Sequence, residues 1–479
     1  MLTKLFPTIR DQKIVRIINK VFASPFYIGF VAILVCLAEI FSFEFIAYYV
    51  LISLSIVFPS FFLDDMTASI PGITMLHIAM SKKTFDQENT IILGNNIHHF
   101  YIMFSLICIF LIGRLAFDIT VEKERRHFPR FLIGYVALLI SYLMGGAFSK
   151  YYDIKTFGFG LLEIASIGGF YFYFVYTIDW KNFKKDYFAY LFFFFGLAIS
   201  VETIVLIIQN SEEITTGWGI RNDIGGTLAM TIAGAGYLAV KKKAYINWLF
   251  VVGMLFILVA CAFTESRGGF VATFVMTIVC SVLIMVFTNW VKRLTSSLII
   301  VAFVVTFICL YIFKHEMMME RFGRILEIDI KNLDDFSSGR ITIWKIGIEQ
   351  WKENKAFGVG WLQTTFAEFK FPPRYHNTYI QLLASTGIVG IVAYTFHRFE
   401  TIFVTFRRPN LEKVYALLCI IGLMIANLFD CHFFNIWLGF GYSFLVANLE
   451  WEERKQIEQR KIPQIVEETS SNELKTSAA

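Results

Sequence analysis

The sequence predicts an all-α, polytopic transmembrane bundle of about 12–14 helices with one large helical loop outside the membrane. Three observations predict it. Of 479 residues, 56% are hydrophobic and only 17% charged, whereas about a quarter are charged in ordinary globular chains. The apolar residues fall in continuous runs close to the roughly 20 residues a helix needs to cross hydrocarbon, without the dyad alternation of a membrane strand. Polar residues collect in one long interval, 314 to 377, and loops of that length are uncommon unless functional or disordered. This interval is rich in Trp, Phe and Ile, so it is expected to fold.

Taken in order, residues 1–23 are basic, with Lys4, Arg10, Lys13, Arg16 and Lys20, and lean toward the cytoplasm. No small-residue cleavage site follows the first apolar run, so insertion is expected to use uncleaved segments. Within 24–313 the apolar runs are 24–41, 45–63, 98–117, 131–148, 157–177, 187–208, 223–240, 244–263, 268–288 and 297–313. The segment 66–80 is borderline, being short and interrupted by Pro71. Three further runs, 378–396, 412–429 and 433–449, make up 378–449. Residues 450–479 read as a short helical extension leading into a disordered cytoplasmic tail.

Orientation follows from Lys and Arg in the short connectors, which mark the cytoplasmic side. The basic connectors are 122–130, 181–185, 241–243, 292–293 and 398–413, one after every second run. Connectors 149–156, 209–222, 264–267, 314–377 and 430–432 then face outward. Counting back with two runs before residue 98 puts the basic N-terminus outside, against the same rule. Either 66–80 enters or crosses the membrane, or an early run does not span.

A net charge of +5 without aromatic-interleaved basic clusters argues against nucleic acid as a partner. The seven cysteines lie in or at the ends of apolar runs with no CxxC spacing, so they read as small hydrophobes rather than disulfides or metal ligands. No metal or cofactor is expected.

Ionisable residues at membrane depth are functional candidates by default. Arg267, in Thr264-Glu265-Ser266-Arg267-Gly268-Gly269, sits between two runs with almost no loop. Ser266 can cap a helix there, and the glycines allow close approach of a backbone or a ligand. A guanidinium holds phosphate bidentately at any physiological pH; the plainer reading is a surface pair with Glu265. Arg340 follows Ser337-Ser338-Gly339 and opens a stripe of Ile341, Trp344, Ile348 and Trp351 at helical spacing. A cation at a helix start is unfavourable unless an anion arrives, so this is a candidate anion site. His376, after Pro372-Pro373-Arg374-Tyr375, stands where the loop re-enters the membrane and can exchange a proton near neutral pH. Its plainer reading is a surface histidine. Arg221, Arg374 and Asn377 are further candidate contacts, with Asp430, His432, Glu163 and Glu202 behind them; for the two glutamates helix–helix hydrogen bonding is the simpler account.

In sum, Ser266-Arg267-Gly268, Ser338-Gly339-Arg340 with Trp344, Ala356-Phe357-Gly358-Val359-Gly360, and His376-Asn377-Thr378-Tyr379 leading to Gly387-Ile388-Val389-Gly390 resemble the O-antigen ligase and Wzy polymerase superfamily. The resemblance covers roughly 223–449 in motif terms. It implies a GT-C type glycosyltransferase of the bacterial cell (inner) membrane, acting on its outer face. The implied donor is a glycan on undecaprenyl diphosphate and the implied acceptor another glycan or lipid-linked chain, with other polysaccharide-assembly membrane proteins as candidate partners. Arg267 and Arg340 would bind the donor diphosphate; His376 would activate the acceptor hydroxyl or orient the leaving group. Where many members carry an Asn-Pro-Asn type motif, this chain has Arg221-Asn222-Asp223, leaving Arg221 as a substitute phosphate contact. Polymerase and ligase share these motifs; polymerase is taken first because it is more commonly encoded. The competing class is a flippase for the same lipid-linked units, in which two related halves and broken midplane helices are expected. A non-catalytic scaffold leaves the two arginines and the histidine unexplained.

Overall fold

The computed structural model describes residues 13–41, 43–76, 97–121, 128–149, 152–209, 221–316, 319, 323, 339–360 and 375–477. Among these it is 85% helical and contains no strand. In chain order the helices are α1 Lys13–Phe22, α2 Pro25–Phe41, α3 Glu44–Ile52, α4 Phe58–Phe62, α5 Ser69–Leu76, α6 Ile97–Val121, α7 Leu132–Ala147, α8 Ile154–Thr177 and α9 Tyr187–Ile208. There follow α10 Arg221–Lys241, α11 Ala244–Phe263, α12 Arg267–Phe287, α13 Trp290–Phe313, α14 Arg340–Glu353, α15 Thr378–Arg407, α16 Leu411–Ala426 and α17 Ile436–Ser477. Every apolar run coincides with a helix. Among the described residues eight helices are long and apolar enough to span a membrane, or up to nine if the bent α1–α2 pair counts as one.

Helix α10 is the hub. It packs against α9, α11, α12 and α16, and all its residues from Ile224 to Val240 are buried. Its glycine, alanine and threonine content lets neighbouring backbones approach closely, the usual device for helix association in lipid. Around this hub α15 packs on α7, α8 on α17, and α14 on α15. Helix α13 is peripheral, its apolar surface almost wholly outward.

The connectors sort into two ends. At one, Lys242 pairs with Asp186 at 2.6 Å, Lys241 with Glu412 at 3.4 Å, and Lys292 donates to the Val240 carbonyl at 2.7 Å. The basic connectors therefore meet one another there. Met66 N–H donates to the Thr177 carbonyl at 3.2 Å, which puts the end of α4 at this basic end too. Tyr49, in α3, reaches His99 of α6 at 2.8 Å at the opposite end. Hence α2 runs away from the basic end, α3–α4 return to it, and α5 re-enters the bundle as eight fully buried residues. The chain stands at the far end again by His99. That resolves the parity conflict: the Pro71 segment enters the bundle, and α1 lies at the basic end.

Two boundaries differ from the sequence reading. Helix α15 runs on to Arg407, so the basic connector shrinks to 408–410 and Arg398 becomes a buried residue within a helix. Helix α17 continues to Ser477 rather than ending in a short extension. Its Glu-, Gln-, Lys- and Arg-rich composition favours helix, and Arg454 pairs one turn back with Glu450 at 2.6 Å.

Candidate active site

At the end opposite the basic connectors, α10 and α12 cross closely. A Cβ on Gly269 would sit 2.5 Å from the Cα of Gly225, so this glycine admits a neighbouring backbone. The crossing brings the first turn of α10 against the cap of α12. Ser266 accepts from Gly269 N–H at 3.2 Å, while its hydroxyl donates to Asn222 Oδ1 at 3.0 Å. Arg267 is the first residue of the capped helix and is partly exposed. Glu265 pairs with Arg221 at 2.9 Å, with both side chains about one-third exposed.

Asn222 in turn donates to Asp430 Oδ2 at 3.0 Å, and Asp430 is the node of the cluster. Its carboxylate also accepts from Cys431 N–H at 2.8 Å and from His376 Nδ1 at 3.1 and 3.2 Å. Arg340 Nη2 stands 4.0 Å away, and Arg340 Nη1 donates to the Phe429 carbonyl. Burial alone raises the Asp430 carboxyl. The hydrogen bond from His376, the charge of His432 and then those of His376 and Arg340 outweigh it, holding the group well below the usual carboxylate range. An ionised carboxylate only accepts, so His376 Nδ1 carries the proton of this hydrogen bond and Nε2 is the ring nitrogen outside it.

The loop residues are held from both sides. Asn377 caps α15, accepting from Tyr379 and Ile380 N–H at 2.9 and 3.0 Å, and donates to the Leu428 carbonyl at 2.9 Å. This engagement suits positioning better than ligand contact. His376 beside it adopts φ 47°, a left-handed conformation that a non-glycine residue holds only under constraint. Helix α14 begins at Arg340 after Gly339 at φ 76°, with no side-chain cap on its first N–H groups. It rests on α15 where Gly347 meets Tyr375 and Ile380, and Tyr375 donates to Gln350. Trp344 and Trp351 flank that contact, half-buried.

The glycine-bearing turn at Gly358–Gly360 meets a break in α15. Helix α15 breaks at Gly387, where φ is 64° and ψ −162°. The freed carbonyls of Ala384 and Ser385 accept from Val359 and Gly360 N–H at 2.8 and 3.1 Å, and that of Thr386 from the Ser141 hydroxyl at 2.8 Å. Ile388 and Val389 N–H are satisfied by the carbonyls of Lys355 and Ala356 at 3.0 and 3.1 Å. Irregular backbone at membrane depth is tolerated only when so satisfied. The turn therefore docks the loop into the broken helix.

Of the candidate residues, Arg340 and His376 thus meet on Asp430, and the Ser266–Arg267 turn joins them through Asn222. Arg221 stands beside that turn. Arg374 lies outside the described residues, as do Ser338 and Trp361. His432, also buried, has Nδ1 3.3 Å from Asp223 Oδ1. Glu163 and Glu202 are buried within α8 and α9. Asp430 ranks low in the sequence because its partners are 54 and 208 positions away; its one signal is a carboxylate beside a histidine in a short turn between two apolar runs.

Fold and site together define a multi-pass, all-α membrane protein with a guanidinium–imidazole–carboxylate cluster at one end of its bundle. Residues 252–395 match the family model described as O-antigen ligase, so this part of the chain is similar to that family. The matched stretch includes Arg267, Arg340 and His376 and ends before Asp430. No curated protein matches the chain.

Proposed function

We propose that this protein is a glycosyltransferase that transfers or polymerises undecaprenyl-diphosphate-linked oligosaccharides on the outer face of the cell membrane. The observation that carries the reading is the hydrogen bond of His376 Nδ1 to the buried Asp430, with Arg340 on the same carboxylate and the Arg267 turn tied to it by Asn222. The O-antigen ligase match supports the coarser class.

In this mechanism His376 Nε2 removes the proton of the acceptor hydroxyl as its oxygen attacks the donor's anomeric carbon. The new C–O bond forms while the bond to the diphosphate oxygen breaks, and the lipid diphosphate leaves with the electron pair. Arg267 and Arg340 stabilise the charge developing on the departing phosphates. Asp430 keeps Nδ1 protonated and stabilises the imidazolium that forms, the role of the acid in a catalytic triad. Two fixed guanidiniums supply the positive charge, so metal independence is part of the proposal. Activity abolished by chelator and restored by magnesium would overturn that part.

The break at Gly387 is a feature a flippase also offers. Its freed backbone groups are filled by residues 355–360 and Ser141 rather than turned to a passage, which favours the transferase. The test is Arg267→Ala and His376→Ala in cells. Glycan transfer is expected to stop while membrane insertion and lipid-linked precursor on the outer face persist; precursor trapped inside would favour the flippase instead.

A further inference from the structure

The hydrogen bond between His376 and Asp430 joins two separate segments of the chain, and one buried side chain touches both of them. Gln381 lies just past the first turn of α15 and is fully buried. Its Oε1 accepts from Tyr375 N–H at 3.1 Å and from the Cys431 thiol at 3.6 Å, and its Nε2 donates to Ser385 Oγ at 3.1 Å. Tyr375 immediately precedes His376, and Cys431 immediately follows Asp430. A single oxygen thus ties the chain beside the imidazole to the chain beside the carboxylate. Both groups that face it are donors, which fixes the orientation of the amide.

An amide inside a membrane bundle is costly unless both its ends are bonded. Here both are, and that alone accounts for its presence as a packed core residue. Two further observations point beyond packing. His376 holds φ 47°, and a residue in the left-handed region stays there only where its surroundings over-determine it. Asn377 secures the chain on one side of it by capping α15, and Gln381 secures Tyr375 on the other. Cys431, for its part, donates its own N–H to Asp430 Oδ1 at 2.8 Å, so what holds Cys431 also directs the carboxylate. Ser385 anchors the amide one turn further along the helix, where its carbonyl takes Gly360 N–H at 3.1 Å.

We propose that Gln381 is a positioning residue for the His376–Asp430 pair. It keeps Nδ1 of the imidazole on the carboxylate and so keeps Nε2 directed at the acceptor hydroxyl. The effect on rate rests on the transferase reading; the hold on the pair does not.

The test uses the purified full-length protein labelled with ¹⁵N-histidine, the His376 signal being assigned by its loss in His376→Asn. At a pH where the imidazole is neutral, wild type is expected in one tautomer, protonated on Nδ1. Gln381→Met, similar in volume but without the acceptor, should give a mixture of tautomers. Gln381→Glu keeps an acceptor oxygen toward Tyr375 in either protonation state and should restore the single tautomer. In a lipid-diphosphate oligosaccharide assay Gln381→Met should lower kcat about 10–100-fold with KM within about twofold, the signature of a displaced base, while Gln381→Glu stays within about threefold of wild type. A residue that only packs the helix would lower the melting temperature and leave both the tautomer and kcat per folded molecule as they were. That result overturns the proposal, as does a wild-type His376 protonated on Nε2. Should Gln381→Met fail to fold, Gln381→Asn, whose amide stops one methylene short of Tyr375, is read by the same criteria. A tautomer change in a protein without transfer activity would leave the positioning role standing and remove only the transferase reading; a wild-type tautomer and kcat in Gln381→Met would do the reverse.

Discussion

The two ends of the bundle both bury charge, and they do so in opposite ways. At the basic end Lys413 is fully buried and donates to the carbonyls of Val404 and Arg408, to Glu453 and to Gln456, at 2.6–3.2 Å. Glu453, 2% exposed, also takes Arg408 at 3.3 Å. At the other end the carboxylate is equally deep, Asp430 being 8% exposed, but its partners His376 and Arg340 remain 32% and 18% exposed. A cage whose members all satisfy one another holds helices in place. One whose cations keep an open side can receive an anionic substrate.

The largest effect that tests this contrast is on turnover. His376→Asn, chosen because asparagine tolerates the left-handed backbone, should lower glycan transfer about 10²–10⁴-fold with little change in melting temperature. A labelled lipid-diphosphate oligosaccharide assay checks it; retained turnover would break the comparison at the end that carries Asp430. Lys413→Met should act the other way, destabilising by about 3 kcal/mol because buried Glu453 loses its closest partner and keeps only Arg408 and Arg407, with activity per folded molecule unchanged. Chemical denaturation in detergent reads the first quantity and active-site-normalised assays the second.

Next comes Gly387→Ala. An added Cβ would lie 2.3 Å from the Ala356 carbonyl, at a positive φ. The variant should loosen the docked loop at a cost of about 1–3 kcal/mol and expose residues 355–360 to protease. Unchanged proteolysis would mean the turn is not what anchors the loop.

A smaller, pH-dependent effect follows from Asp430. Its folded value lies below the ordinary carboxylate range, so its contribution is complete above the unfolded value and fades as pH falls through the folded one. The stability gap between wild type and Asp430→Asn should therefore stay constant from pH 7 to about pH 4 and close only in stronger acid. Closure between pH 7 and 5 would show that Asp430 is not held as described. Arg221→Gln should matter least, under about 1 kcal/mol, because its pair with Glu265 is a third exposed and screened.

Helix positions were legible because a run of apolar residues leaves a chain in lipid one way to satisfy its backbone. Arg267, Arg340 and His376 stood out for the same reason, as ionisable groups at the rim of hydrocarbon. Asn222 gave no such signal, being polar in a polar connector. Arg398 looked like one member of a basic connector, since a helix that kinks at a glycine and continues has no mark in composition.

Composition and periodicity alone determined a helical membrane bundle, its alternation of basic and non-basic connectors, and which ionisable residues stand at its rim. Only the tertiary structure decided that Arg340 and His376 share one carboxylate, that the glycine turn plugs a broken helix, and that Arg398 is enclosed. The reason is physical: a helix's own hydrogen bonds and its transfer into lipid depend on residues close in sequence. Which side chains meet across the bundle depends on how small residues such as Gly225 and Gly269 let distant helices approach, and no single stretch of sequence contains that.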